Sequence, residues 1–145
     1  MVSNAADRGL GQDDIRQIII RDVRGYSRGR CHIVRLLNTS GVALHDVLLD
    51  GLLDTSPDEV QCRAAVKIGD SHYGGGIAPL GDTYGIMIHH VVSKSTYTIL
   101  IGGSLVDSII SDVIRYGASG EIVTVASGPQ YVRDVTIANT RVMAP

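Results

Sequence analysis

The chain has 145 residues, 44% of them hydrophobic and 19% charged, with a formal net charge of −2. That length suits one domain, the composition excludes a disordered chain, and the charge balance gives no sign of a nucleic-acid or anionic-membrane partner. No apolar run approaches the roughly 20 residues of a membrane span. With no Phe and no Trp, the core has to be built from Ile, Val and Leu.

Residues 1–14 form a polar leading segment or cap, and residues 15–145 a single domain. The start, Met1-Val-Ser-Asn-Ala-Ala-Asp-Arg8, lacks the apolar stretch of a signal peptide, which leaves the compartment open and the cytoplasm as the default. From there one short pattern returns five times: Ile18-Ile-Ile-Arg-Asp-Val23, Val47-Leu-Leu-Asp-Gly-Leu52, Ile86-Met-Ile-His-His-Val91, Ser108-Ile-Ile-Ser-Asp-Val113 and Val135-Thr-Ile-Ala-Asn-Thr140. Each places small or apolar residues at positions k, k+2 and k+5. The spacings between starts are 29, 39, 22 and 27 residues, the range of stacked repeat architectures. A unit this short cannot bury its own apolar face, so neighbours must bury it together.

A second alternating run follows each of the first four: Val34-Arg-Leu36, Val66-Lys-Ile68, Ile99-Leu-Ile101 and Val123-Thr-Val125. Alternation is the signature of a half-buried strand. A corner recurs near Asn38-Thr-Ser-Gly41, Ala78-Pro-Leu-Gly-Asp82, Gly102-Gly-Ser104 and Ser127-Gly-Pro129. Two strands and a corner per turn describe an all-β, right-handed parallel β-helix of about four to five coils. A competing α/β reading would turn the first runs into helices, but they are shorter than the usual 10–14 residues. Long insertions fall around Asp54 to Arg63 and Ser71 to Thr83, and insertions in solenoids map to loops on one face.

This pattern resembles the pectin-lyase-like superfamily, and within it the polygalacturonase group, glycoside hydrolase family 28, over about residues 15 to 142. The resemblance implies a carbohydrate-interacting protein, a polysaccharide hydrolase or lyase with polysaccharide or oligosaccharide as partner and no cofactor. The family's Asn-Thr-Asp corner matches Asn38-Thr39-Ser40, with Ser in place of the acid. Its Asp-Asp pair falls on Arg63-Ala64, its Gly-His-Gly on Thr96-Tyr97-Thr98, and its Arg-x-Lys on Thr124 and Ala126. The scaffold matches and the chemistry does not. Inverting hydrolysis requires two carboxyl groups about 6.5–9.5 Å apart. A shifted site would draw on Asp58, Glu59, Asp70 or Asp82. Arg35 and Lys67 occupy matching outward positions on neighbouring coils, about 4.8 Å apart, suited to gripping a carboxylate or sulfate on a sugar polymer. Tyr73, in the loop Ser71-His-Tyr-Gly-Gly-Gly-Ile77, and Tyr97 are candidates to contact sugar.

The remaining chemistry-bearing residues assemble into no motif. His89 and His90, adjacent on a strand, are expected on opposite faces. His45 and His72 fall in or near turns, without the spacing of a zinc site, so no metal site is assigned. Cys31 and Cys62 lie before equivalent strands, where either a disulfide or two buried thiols is compatible with the stack.

Position k+1 faces outward and holds Ile19, Leu48, Met87 and Ile109. Four stacked apolar residues make a stripe, and a contiguous apolar patch marks a contact surface. The stack also ends without an obvious cap. Both features predict a homo-oligomer, or further coils of a longer β-helix, and leave a non-catalytic, self-assembling module as the alternative to a carbohydrate-active protein.

Overall fold

The computed structural model describes residues 2–4, 15–28, 32–38, 43–57, 64–69, 82–117, 120–126 and 131–144. Ten strands account for its regular structure, and no helix occurs among the described residues. In chain order they are β1 (Val2–Asn4), β2 (Ile15–Gly25), β3 (Val34–Asn38), β4 (Leu44–Asp54), β5 (Ala64–Gly69), β6 (Thr83–Ser93), β7 (Tyr97–Gly102), β8 (Leu105–Tyr116), β9 (Glu121–Val125) and β10 (Val132–Met143). Short odd-numbered strands form one sheet, in the order β1-β3-β5-β7-β9. Long even-numbered strands form the other, in the order β10-β8-β6-β4-β2. Every pairing is parallel. The chain thus alternates between two parallel sheets, an arrangement consistent with a parallel β-helix. β1 adds a short strand in the leading segment that the sequence pattern does not signal.

The repeats stack in register. Ile18 pairs with Val47 and Val47 with Ile86, and Ser108 pairs with Val135. On the short-strand sheet Val34, Val66, Ile99 and Val123 are successive partners. Val47, Leu49, Leu52, Ile86, Ile88, Val91, Ile110 and Val113 from the long strands meet Val34, Leu36, Val66, Ile68, Ile99 and Ile101 in one aliphatic core. β-Branched side chains suit this packing on a pleated surface.

The long strands are bent twice each, and this explains the k, k+2, k+5 spacing. Positive φ recurs at Gln17 and Asp22 in β2, Asp46 and Gly51 in β4, Gly85 and His90 in β6, Asp107 and Asp112 in β8, and Asp134 and Asn139 in β10. The separation is five residues in every strand, at k−1 and k+4 of each repeat. Left-handed backbone costs an L-residue roughly 1–2 kcal/mol, least for Asp and Asn and nothing for Gly. Eight of these ten corner positions are Asp, Asn or Gly. Between corners, k and k+2 point inward and k+1 and k+3 outward; the corner at k+4 restarts the alternation, so k+5 points inward again.

Three buried polar groups of the stack are met by hydrogen bonds. Ser108 stands in an inward, otherwise aliphatic column, where its hydroxyl donates to the Val106 carbonyl (2.7 Å) and accepts from the Ile86 N–H (3.0 Å). At the far end of the long strands, buried Asp54 accepts from the Ser56 N–H (3.0 Å), the Ser93 hydroxyl (2.9 Å) and the Ser95 hydroxyl. Burial pushes this carboxyl up, but the serine hydrogen bonds outweigh it and hold Asp54 below the usual carboxylate range. Arg115, fully buried, closes the same corner by donating to the carbonyls of Ser95 (3.2 Å) and Gly117 (3.1 Å).

Candidate functional site

The outer face of the long-strand sheet carries the most organised surface chemistry. Successive partners Ile19, Leu48, Met87 and Ile109 form one column across it. Ile19 is 67% exposed, and Met87 and Ile109 are each 42% exposed. Gln17, Ile18, Ile19, Asp46, Leu48, Gly85 and Met87 line a shallow recess of about 290 Å³ along this column.

A polar column runs beside the stripe at k+3: Arg21, Asp50, His89, Ser111 and Ala138. The adjoining corner column is Asp22, Gly51, His90, Asp112 and Asn139. Together they make a chain of contacts across the sheet. Arg21 Nε lies 4.0 Å from Asp50 Oδ2. His90 Nδ1 donates to Asp50 Oδ1 at 2.8 Å. His89 Nδ1 and Ser111 Oγ are 2.7 Å apart, Ser111 Oγ donates to Asp112 Oδ2 at 2.7 Å, and Asn139 Nδ2 donates to Asp112 Oδ1 at 3.2 Å. His89 and His90 therefore stand on the same outer side, with ring centroids 6.4 Å apart. The expectation of opposite faces fails because the left-handed backbone at His90 interrupts the alternation.

The charge states follow from these contacts. The His90 hydrogen bond holds Asp50 below the usual carboxylate range, and Asp50 in turn raises His90. Hydrogen bonds from Ser111 and Asn139 hold Asp112 low. Ser111 has one proton and donates it to Asp112, so His89 must be the donor to Ser111. His89 is therefore not the base that a His-activated nucleophilic serine needs; the Ser111 proton is directed at the Asp112 carboxylate.

On the other edge of the face, His45 and Tyr84 stack with centroids 4.6 Å apart and planes 6° from parallel. His45 is the second residue of β4, one before the left-handed corner at Asp46, and its Nδ1 meets Asp46 Oδ2 at 2.9 Å.

The residues singled out in the sequence are dispersed. Asp58, Glu59, Asp70, Tyr73, His72, Cys31 and Cys62 lie outside the described residues. Asp82 sits exposed at the start of β6 and accepts from the Tyr131 hydroxyl at 2.5 Å. Tyr97 is half-buried on β7, between Ala64 of β5 and Glu121 of β9. Arg35 and Lys67 are partners on β3 and β5. The second face of β5 is covered, however, so Lys67 is only 2% exposed, not solvated as an outward position implies. Burial and then the charge of Arg35 push its ammonium down to about 8. Among the described residues, no three His, Cys, Asp or Glu converge to hold a metal ion.

The columns at k−1 and k+4 escape a reading based on apolar periodicity alone. Their signal is the recurrence of Asp, Asn and Gly at fixed offsets from the apolar positions. Comparisons with models of known families, with curated proteins and with solved structures returned no match.

Proposed function

We infer that this chain is a right-handed parallel β-helix of the pectin-lyase-like kind that works as a non-catalytic interaction module, its contact surface being the outer face of the long strands. The observation that carries this reading is the Ile19–Leu48–Met87–Ile109 column, exposed at Ile19, Met87 and Ile109 and half-buried at Leu48. Exposed apolar surface organised in one line is a feature of contact sites. Two of the acids beside it, Asp50 and Asp112, support binding over hydrolysis. A hydrolytic acid must stay protonated near neutrality, through a raised pKa. Asp50 and Asp112 are both held low instead.

A carbohydrate-active protein is the second reading, favoured by the line Asp50, His90, Asp112. These residues occupy three neighbouring long strands, which puts the two carboxylates about 10 Å apart at one strand spacing of about 4.8 Å per step. That lies just beyond the inverting range of about 6.5–9.5 Å, and His90, which donates to Asp50, is the nearest proton donor between them.

One assay separates the readings. The protein is incubated with a panel of acidic and neutral polysaccharides while new reducing ends and unsaturated uronates are followed. The interaction reading expects neither. Turnover that disappears in both Asp50→Asn and His90→Gln would overturn it in favour of the enzyme.

A further inference from the structure

Resting on the interaction reading, the geometry points to a specific class of partner for this face: we propose that it docks a basic amphipathic α-helix, laid along the stack with its apolar side on Leu48, Met87 and Ile109 and its Lys or Arg side chains on the flanking aspartates.

Charge is the first argument. On the three central long strands, Asp46 and Asp107 stand at the corners on one side of the stripe. Asp50 and Asp112 stand on the other side, at k+3 and at the second corner. β4, β6 and β8 contain a single arginine or lysine, Arg115, and it is buried inside the stack. The exposed cations of the long strands, Arg16, Arg21, Arg24, Arg133 and Arg141, belong to the outermost strands β2 and β10. An apolar line thus runs between two rows of aspartates, whose local cations are the histidines and, beside Asp50, Arg21. Meeting a second copy through this face would set aspartates against aspartates, a like-charge juxtaposition that disfavours the pairing. A segment with an apolar ridge between two basic rows satisfies both features at once.

Dimensions are the second argument. The two corners of each long strand are five residues apart, so the rims stand about 16 Å apart at roughly 3.3 Å per residue. A helix with its side chains is about 10–12 Å across and fits between them, leaving its flanking basic residues within reach of the acids. Along the stack, apolar residues recur at about 4.8 Å, close to the 5.4 Å rise of a helical turn. From Ile19 to Ile109 the stripe spans three strand steps, about 14 Å, the length of a helix of about 10 residues. Anchors at i, i+3 or i+4, and i+7 would follow the column, the usual mode of helix-in-groove recognition. Gly85, without a side chain, widens the rim opposite Met87 and forms part of the recess that would take the central anchor.

The test uses two synthetic 14-residue amphipathic helices that share a Leu face, one with Lys flanks and one with Glu flanks, in anisotropy titrations of the intact protein. The Lys peptide should bind at least tenfold tighter than the Glu peptide, weaken with salt, and gain helicity on binding. Asp46→Asn, Asp50→Asn, Asp107→Asn and Asp112→Asn combined should weaken it at least tenfold; asparagine tolerates the left-handed corners, so the fold is retained. Met87→Asp is the decisive variant. It makes the face more acidic, so a purely electrostatic attraction would strengthen, whereas docking on the stripe predicts at least tenfold weakening. Equal binding of both peptides, unchanged binding by the fourfold variant, stronger binding by Met87→Asp, or displacement of the peptide by a neutral polysaccharide each overturns the helix partner. Light scattering separates the underlying reading: a dimer that Met87→Asp dissociates keeps the contact surface and replaces the helix with a second copy. A monomer binding neither peptide refutes both.

Discussion

Lys67 offers the sharpest test of how this fold handles charge. Its ammonium is 2% exposed, paired in register with Arg35 on one side and Leu100 on the other. Burial first, and Arg35 second, lower it from 10.5 to about 8. Lowering a lysine's folded value means the unfolded chain binds more protons between the two values. Stability therefore rises with pH from about 8 to 10.5, and the cost of the charge is fully present below pH 8. At about 1.4 kcal/mol per pH unit, that separation of about 2.5 units is worth roughly 3 kcal/mol, an upper figure for the penalty at pH 7. Lys67→Met keeps the stem that fills the site and removes the charge. Urea unfolding at pH 7 should show the variant more stable, by up to about 3 kcal/mol, and its stability should no longer rise between pH 8 and 10.5. Lys67→Arg, which cannot shed its proton, should fall behind wild type above pH 8, the gap widening towards pH 10.5. A wild-type stability that is flat above pH 8, or a Met variant weaker at pH 7, would refute the reasoning.

Three further predictions concern the scaffold. Ser108→Ala should cost about 1–3 kcal/mol in denaturant unfolding, because the buried Ile86 N–H loses its acceptor, and Ser108→Val should not recover it despite restoring an aliphatic column. Gly51→Ala should cost roughly 1–2 kcal/mol for the left-handed corner, since its added Cβ would sit 3.1 Å from the Asp22 side chain. Gly69→Ala should be much worse, because there the Cβ would come within 2.7 Å of the Gly103 backbone nitrogen; comparing the two melting temperatures checks the difference. Asp54, held low by its serines against burial, contributes stability that is present above pH 4 and lost as pH falls through its folded value. Asp54→Asn should flatten that acid limb while lowering stability at pH 7 by about 1–3 kcal/mol.

Much of this architecture is legible in the residues. The five apolar repeats and the four alternating runs mark nine of the ten strands, and the matching offsets predict which residues become partners. Ile19, Leu48, Met87 and Ile109 stand in the outward column that their k+1 offset implies. The backbone event behind the spacing is less legible. Strict alternation would carry k+4 inward, yet Asp22, Gly51, His90, Asp112 and Asn139 all turn out of it, and this displaced His90 onto the side of His89. Position also failed to predict burial for Lys67, because alternation says which way a side chain points and not whether something covers it. The polar column linking Asp50 to Asn139 depends on contacts between residues up to 40 positions apart, which no local pattern encodes.

The fixed interval between corners has a consequence for how such a chain can change length over evolutionary time. Repeat starts differ by 22 to 39 residues, so the connections absorb insertions freely, while the five-residue interval is the same in every long strand. One residue gained or lost between corners would exchange the aliphatic and solvent-facing sets of that rung and misalign it with both neighbours. Natural variants should therefore carry their gaps between strands and almost never within 17–22, 46–51, 85–90, 107–112 or 134–139. The same rule would let whole rungs be duplicated or removed as units, with the corners as the ruler that keeps copies in phase.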